Sequence, residues 1–219
     1  MKTKIKDKGT VPFRVFKAVL GPIFNLYYNP KVSGKENIPA EGPILLVGNH
    51  KHIMDQCAPL LSTKRGARYM AKKEYFDDKK VAWFFKAAGC IPVDRSKKDE
   101  DAKAAALDVL RNGGAIGLFP EGTRNKTDAF LLPFKFGAVS MAQKTDAYLV
   151  PFGISGDYCF RSKNLRIKFG KPFKVGDMPL EEANEKLAQV IGDLMKEGME
   201  ETKGIVNKNY EKKKAKKNK

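Results

Sequence analysis

The chain contains two histidines, and both lie in one short segment, Asn49-His50-Lys51-His52-Ile53-Met54-Asp55. An imidazole near its ordinary pKa accepts a hydroxyl proton at neutral pH. A carboxylate on the other ring nitrogen fixes the tautomer and stabilises the imidazolium that forms. Asp55 is the candidate partner of His50. In a continuous α-helix their spacing corresponds to about 140°, which turns the two side chains apart. They meet if His50 lies in the turn leaving a strand and Asp55 in the helical turn that follows. His52 has Cys57 at the equivalent spacing, not an acid. Taken alone, a His-x4-Asp spacing fits a surface histidine as readily as a base.

A second segment with chemical potential is Phe119-Pro120-Glu121-Gly122-Thr123-Arg124. Pro120 keeps Phe119 extended, and Gly122 lets backbone approach a ligand closely. Thr123 offers a hydroxyl, and Arg124 a planar fork that matches phosphate oxygens in pairs. Glu121 is suited to accept from a glycerol hydroxyl or to orient the arginine. The competing reading is a charged turn with a salt bridge. Arg95 ends a third segment, Gly89-Cys90-Ile91-Pro92-Val93-Asp94-Arg95. Lys135 opens a helical stretch, where it opposes the helix dipole unless an anion such as Asp128 is near.

These segments need a frame. Residues 43–48 (PILLVG) form a short apolar run and read as a buried strand ending at His50; residues 115–119 read as another. Further strands are expected over 67–71, 90–93, 147–154 and 165–169. Helical patterns cover 80–88, 102–111, 135–144 and 180–203, with Gly113-Gly114 stopping the second and Pro179 opening the last. Strand and helix alternate, which predicts an α/β fold with a mainly parallel central sheet covered by helices. Sites of such open sheets sit at the carboxyl ends of strands. Ahead of the sheet, Phe13, Phe16, Leu20, Ile23, Phe24 and Tyr27 recur at helical steps, with Arg14 and Lys17 off that face. Gly21-Pro22 is expected to bend or break this helix. It reads either as an interfacial helix or as one packed on the protein's own core.

Composition narrows the classes. No run of eighteen apolar residues is present, so no ordinary transmembrane helix is expected. The basic start lacks a small-residue cleavage site, which argues against a cleaved signal peptide. The formal net charge of +17 draws the chain towards polyanions, either nucleic acid, an anionic membrane or an acidic carrier protein. The aromatics are not interleaved with basic residues in a nucleic-acid-binding motif. The lysine-rich end, 205–219, is expected to be disordered. Cys57, Cys90 and Cys159 are odd in number and far apart, which suits small buried thiols and not a metal site.

The ordered blocks together resemble the glycerolphosphate acyltransferase family, bacterial members above all. The matching pieces are Asn49-His50 with Asp55, Ala71-Lys72-Lys73-Glu74, Gly89 through Arg95, Phe119 through Arg124, Phe134-Lys135 with Gly137-Ala138, and Val150-Pro151 with Gly153-Ile154. The position two after the first histidine, often serine in that family, is His52 here. The resemblance implies His50 as general base and Asp55 as its orienting partner. It implies that Lys72, Arg95 and Arg124 hold an acceptor phosphate while Glu121, Gly122 and Thr123 shape the acceptor pocket. The implied reaction moves a fatty acyl group from acyl-CoA or acyl-carrier protein to 1-acyl-glycerol 3-phosphate, with no metal or other cofactor. Glycerol 3-phosphate or another lysophospholipid is the alternative acceptor, and a basic nucleic-acid-binding module the alternative outside enzymes. The implied place is the cytoplasmic face of the cell membrane, held peripherally on anionic lipid. The expected organisation is a membrane-interface segment over 1–30, an acyltransferase domain over 31–204 and the basic tail over 205–219.

Overall fold

The computed structural model describes residues 11–94, 96, 99–208, 210 and 211. The basic first residues, Arg95 and the end of the lysine-rich tail lie outside the described residues. The chain runs α1 (Val11–Tyr28), β1 (Lys31–Ser33), β2 (Ile44–Gly48), α2 (Cys57–Ser62), β3 (Ala67–Lys72), α3 (Glu74–Asp77), α4 (Ala82–Ala87) and β4 (Ile91–Val93). It continues through α5 (Glu100–Arg111), β5 (Ala115–Leu118), α6 (Gly137–Thr145), β6 (Tyr148–Ser155), β7 (Arg166–Phe169) and α7 (Leu180–Glu200).

One seven-stranded sheet forms, in the order β1-β7-β6-β2-β5-β3-β4. All neighbours pair in parallel except β6 and β7, so β7 and β1 run opposite to the other five strands. The fold is the expected mainly parallel α/β sheet, with this reversal at one side. β2 lies at the centre and is buried throughout because it feeds both faces. Leu45 and Val47 pack with Ala106 and Leu110 of α5, Val139 of α6 and Leu187 and Ile191 of α7. Ile44 and Leu46 face the other way, among Phe24 of α1, Ala58 of α2 and Phe152. This two-sided burial is why these strands read as continuous apolar runs and not as alternating ones.

Two local expectations are narrowed. α1 continues unbroken through Gly21-Pro22. Proline removes one hydrogen bond there, and Gly21 lies so close to Leu61 of α2 that packing holds the helix on. Lys17, expected off the packed face, donates through Nζ to the carbonyl of Thr63, which closes α2. On α1, Phe24 is buried, whereas Val15, Val19, Leu20, Ile23, Leu26 and Tyr27 remain exposed. None of the described helices is long and apolar enough to cross a membrane.

Candidate active site

β2 and β5 are adjacent and parallel, with Val47 opposite Leu118, so the turns that follow them leave the same end of the sheet. The first turn begins with Gly48. A Cβ there would lie 2.2 Å from Phe152 Cε2, so the strand can pass only as glycine. Asn49 follows, buried, and its amide bonds both ways to one residue of β6. Nδ2 donates to the Ile154 carbonyl at 3.0 Å and Oδ1 accepts from the Ile154 N–H at 2.7 Å. The bonds extend the β2–β6 pairing by one residue and fix where His50 starts.

His50 lies in the turn leaving β2, and Asp55 in the turn just before α2. Their side chains meet, Nδ1 to Oδ2, at 2.8 Å. The same Oδ2 accepts the N–H groups of Lys51 and His52, each at 2.6 Å. Asp55 is 0 % exposed, so these bonds replace its hydration. With a carboxylate facing Nδ1, the neutral ring carries its hydrogen there and leaves Nε2 as the basic atom. Phe119 stacks on the imidazole at 4.1 Å and 12° and fixes its plane. His52 takes a different position. It stacks on Tyr158 at 4.3 Å, and burial leads a set of effects, with the Arg124, Lys51 and His50 charges behind it and Asp55 opposing, that hold its pKa down.

The second turn is clamped to the first through the backbone of His50. The His50 N–H donates to Glu121 Oε1 at 2.7 Å, and the His50 carbonyl accepts from the Asn125 N–H at 2.6 Å. The other oxygen of Glu121 accepts from the Leu132 N–H at 3.0 Å. Both carboxylate oxygens are thus engaged by backbone, and Glu121 is 5 % exposed. Burial pushes its pKa up, while the two N–H groups pull the other way. The observed geometry makes Glu121 a brace between loops; no contact with Arg124 is formed through it. Gly122 has φ +71°, and a Cβ there would come within 2.9 Å of Lys135 Cε. Thr123 and Arg124 are exposed.

Lys135 belongs to this turn and not to α6, which starts at Gly137. Its N–H donates to the Pro120 carbonyl at 2.9 Å, and its side chain lies beside Gly122. No ion pair joins it to Asp128 among the described residues. Lys72 ends β3, two strands from β2, is about half exposed and lies 3.8 Å from Glu74. The structure therefore brings together His50, Asp55, Glu121 and Gly122, with Thr123 and Arg124 on the same turn. Asn49, Phe119 and Lys135 are part of the assembly too. Sequence reasoning placed Asn49 and Phe119 in its motifs but gave them no role, because their contacts depend on which strands are neighbours. Cys57 and Cys90 are half-buried free thiols, and burial pushes each to about 11. Among the described residues no group of three or more His, Cys, Asp or Glu is placed to hold a metal ion.

Comparison with known proteins places the chain among acyltransferases. The family model described as Acyltransferase matches residues 29–155. A 1-acyl-sn-glycerol-3-phosphate acyltransferase of Bacillus subtilis is 31% identical over 175 residues, covering 76% of this chain and 84% of that protein. One of Borreliella burgdorferi with the same name is 29% identical over 181 residues, covering 78% and 72%. A chloroplastic relative from Arabidopsis thaliana is 28% identical over 193 residues, which span 81% of this chain and 54% of that one. Among solved structures, the 1-acyl-sn-glycerophosphate (LPA) acyltransferase of Thermotoga maritima superposes with a TM-score of 0.69. It is 25% identical, with 89% of this chain and 80% of that chain covered.

Proposed function

The chain belongs to the acyltransferase family, and from that premise we propose that it acylates the free hydroxyl of 1-acyl-glycerol 3-phosphate, giving phosphatidic acid for phospholipid synthesis. One observation carries this reading. A single imidazole is held at Nδ1 by a fully buried carboxylate, and its own backbone is bonded at both N–H and carbonyl to the turn that bears Arg124. Base and phosphate anchor are thereby tied into one unit at one rim of the sheet.

Arg124, with Lys72 and Arg95, takes the acceptor phosphate. Gly122 lets backbone come close to the glycerol, and the Thr123 hydroxyl lines its path. The acceptor hydroxyl then lies at His50 Nε2. That nitrogen takes the proton as the oxygen attacks the thioester carbon of acyl-CoA or acyl-carrier protein. The carbon–sulfur bond breaks, and the thiolate leaves with the proton from His50. Asp55 stabilises the imidazolium between the two steps. Fixing both reactants removes much of the entropic barrier.

Association with a membrane is part of the proposal. α1 exposes Val15, Val19, Ile23 and Leu26, and the formal net charge is +17. Together these suit peripheral attachment to anionic lipid at the cytoplasmic face, with segment 1–30 as the interfacial piece, 31–204 as the catalytic domain and 205–219 as a basic tail.

The test is a matrix of acyl donors and acceptors with wild type and His50→Ala. The expected product is phosphatidate from lysophosphatidate, with turnover about 10²–10⁴-fold lower in the variant. Near-normal turnover in His50→Ala rejects the base. Preference for glycerol 3-phosphate moves the acceptor to the alternative.

A further inference from the structure

Two buried polar atoms at the His50–Asp55 pair have no hydrogen-bond partner among the described residues, namely Asp55 Oδ1 and the Tyr158 hydroxyl. Their side chains are 0 % and 9 % exposed. His52 links the two groups, its N–H donating to Asp55 Oδ2 at 2.6 Å and its ring stacking on Tyr158 at 4.3 Å, and the Asp55 charge adds to the burial that raises the Tyr158 pKa. A buried acceptor and a buried donor are each costly when unmet, and here each supplies what the other lacks.

The surroundings hold the Tyr158 ring in place. His52 stacks on one side at 4.3 Å and 14°, and Tyr28 of α1 meets the ring edge-on at 5.3 Å and 83°. The loop that carries it is tied to α1. The Arg161 N–H donates to the Tyr27 carbonyl at 2.6 Å, and Asn29 Nδ2 donates to the Ser162 carbonyl at 3.3 Å.

We propose that Tyr158 is a positioning residue for acyl transfer, its hydroxyl donating to Asp55 Oδ1 while Oδ2 holds His50. The inference rests on His50 acting as the base. Burial first, and the Asp55 carboxylate next, push the phenol far above its usual range, so it remains a donor throughout the working pH range. Other groups that face the Asp55 charge are His50, His52, Glu121, Cys57 and Tyr69. The Lys51 and Arg124 cations act on the same histidine segment. Cys57 and Tyr69 feel the charge without sharing a hydrogen bond with it. A donor on Oδ1 draws negative charge away from Oδ2 and so weakens the hold of the pair on a proton.

Tyr158→Phe keeps the ring and its stacking and deletes the hydroxyl. The expected result is a fall of about tenfold in kcat, from one lost hydrogen bond to a charged group. The acceptor KM stays unchanged, and the acid limb of the kcat/KM profile moves to higher pH. Packing alone would leave that limb in place, so an unmoved limb overturns the proposal even if the rate falls. A second measurement stands independently of the first. In an Asp55→Asn background, Tyr158→Phe should cost at least several-fold less than in wild type, and additive effects overturn the proposal. Failure of the acyl-transfer reading is distinguishable, because it shows as absent turnover in wild type, or as unchanged turnover in His50→Ala.

Discussion

Glu121→Gln separates a brace from a substrate acceptor. Glutamate accepts the His50 N–H at one oxygen and the Leu132 N–H at the other, at 2.7 and 3.0 Å. Glutamine has the same shape, but one accepting oxygen and one donating NH2. Whichever way it turns, one backbone N–H faces another donor. The lost bond to a charged acceptor is worth about 1.5–3 kcal/mol, and the stranded N–H costs about 1–3 kcal/mol. The two overlap, so a net loss of about 2–4 kcal/mol is expected. For a domain of this size each kcal/mol lowers Tm by about 2–4 °C, which gives a fall of about 5–15 °C. Because the same side chain braces the His50 backbone against the Leu132 loop, kcat should fall as well, with the acceptor KM little changed. The assay is thermal unfolding paired with steady-state kinetics across acceptor concentrations. A melting curve equal to wild type, together with a large rise in acceptor KM, would refute the bracing role and return Glu121 to the acceptor. The pH dependence has a definite sign. The Glu121 pKa is raised by burial, so the native state holds its proton where the unfolded chain has released it. Its contribution to stability is present below the unfolded value and declines as pH rises through the folded one, and Glu121→Gln should abolish that decline.

Arg124→Ala should raise the acceptor KM about tenfold or more, since a phosphate loses a paired, charge-assisted contact. Kinetics with a phosphate-free acceptor should show no such rise. Gly122→Ala places a Cβ at φ +71° within 2.9 Å of Lys135 Cε. A loss of about 1–2 kcal/mol follows from the backbone alone, readable in denaturant midpoints. Cys57 and Cys90 are pushed to about 11. At pH 8 roughly one thiol in a thousand is then ionised, so alkylation should be slow in the native protein and rapid after unfolding, as mass spectrometry reads it.

The strands that carry the site were legible because they are buried on both faces. Apolar runs such as 44–48 and 115–118 have no other economical explanation in a chain of alternating elements. The His50–Asp55 contact was legible as a condition on local geometry, a strand end followed by a helical turn, and the chain meets that condition. What the sequence hid depends on neighbours. Asn49 looks like any polar residue after a strand until Ile154 is known to lie beside it. Glu121 shows a carboxylate and nothing of the two N–H groups it meets. Lys135 reads as the first residue of a helix, and a tertiary bond to Pro120 draws it out. β1 was missed because three residues carry no periodicity, and the reversal of β7 because alternation does not encode direction. α5 begins two residues earlier than the alanine pattern suggested, since Asp99 accepts from the Ala102 N–H as its cap.

The reversed pair at the side of the sheet has a geometric result. β7 turns back against β6, and β1 keeps company with β7, Lys31 opposite Arg166. β1 therefore starts at the rim where β2 and β5 finish. Asn29 and Pro30 alone separate it from α1. The last turn of that helix arrives beside His52, the Tyr28 ring 6.4 Å from the His52 ring, without any crossing of the sheet. Had β1 pointed the other way, Tyr28 would have emerged at the other end of that three-residue strand, about 10 Å off. One change of heading thus docks the greasy helix α1 at the rim where β2 and β5 finish.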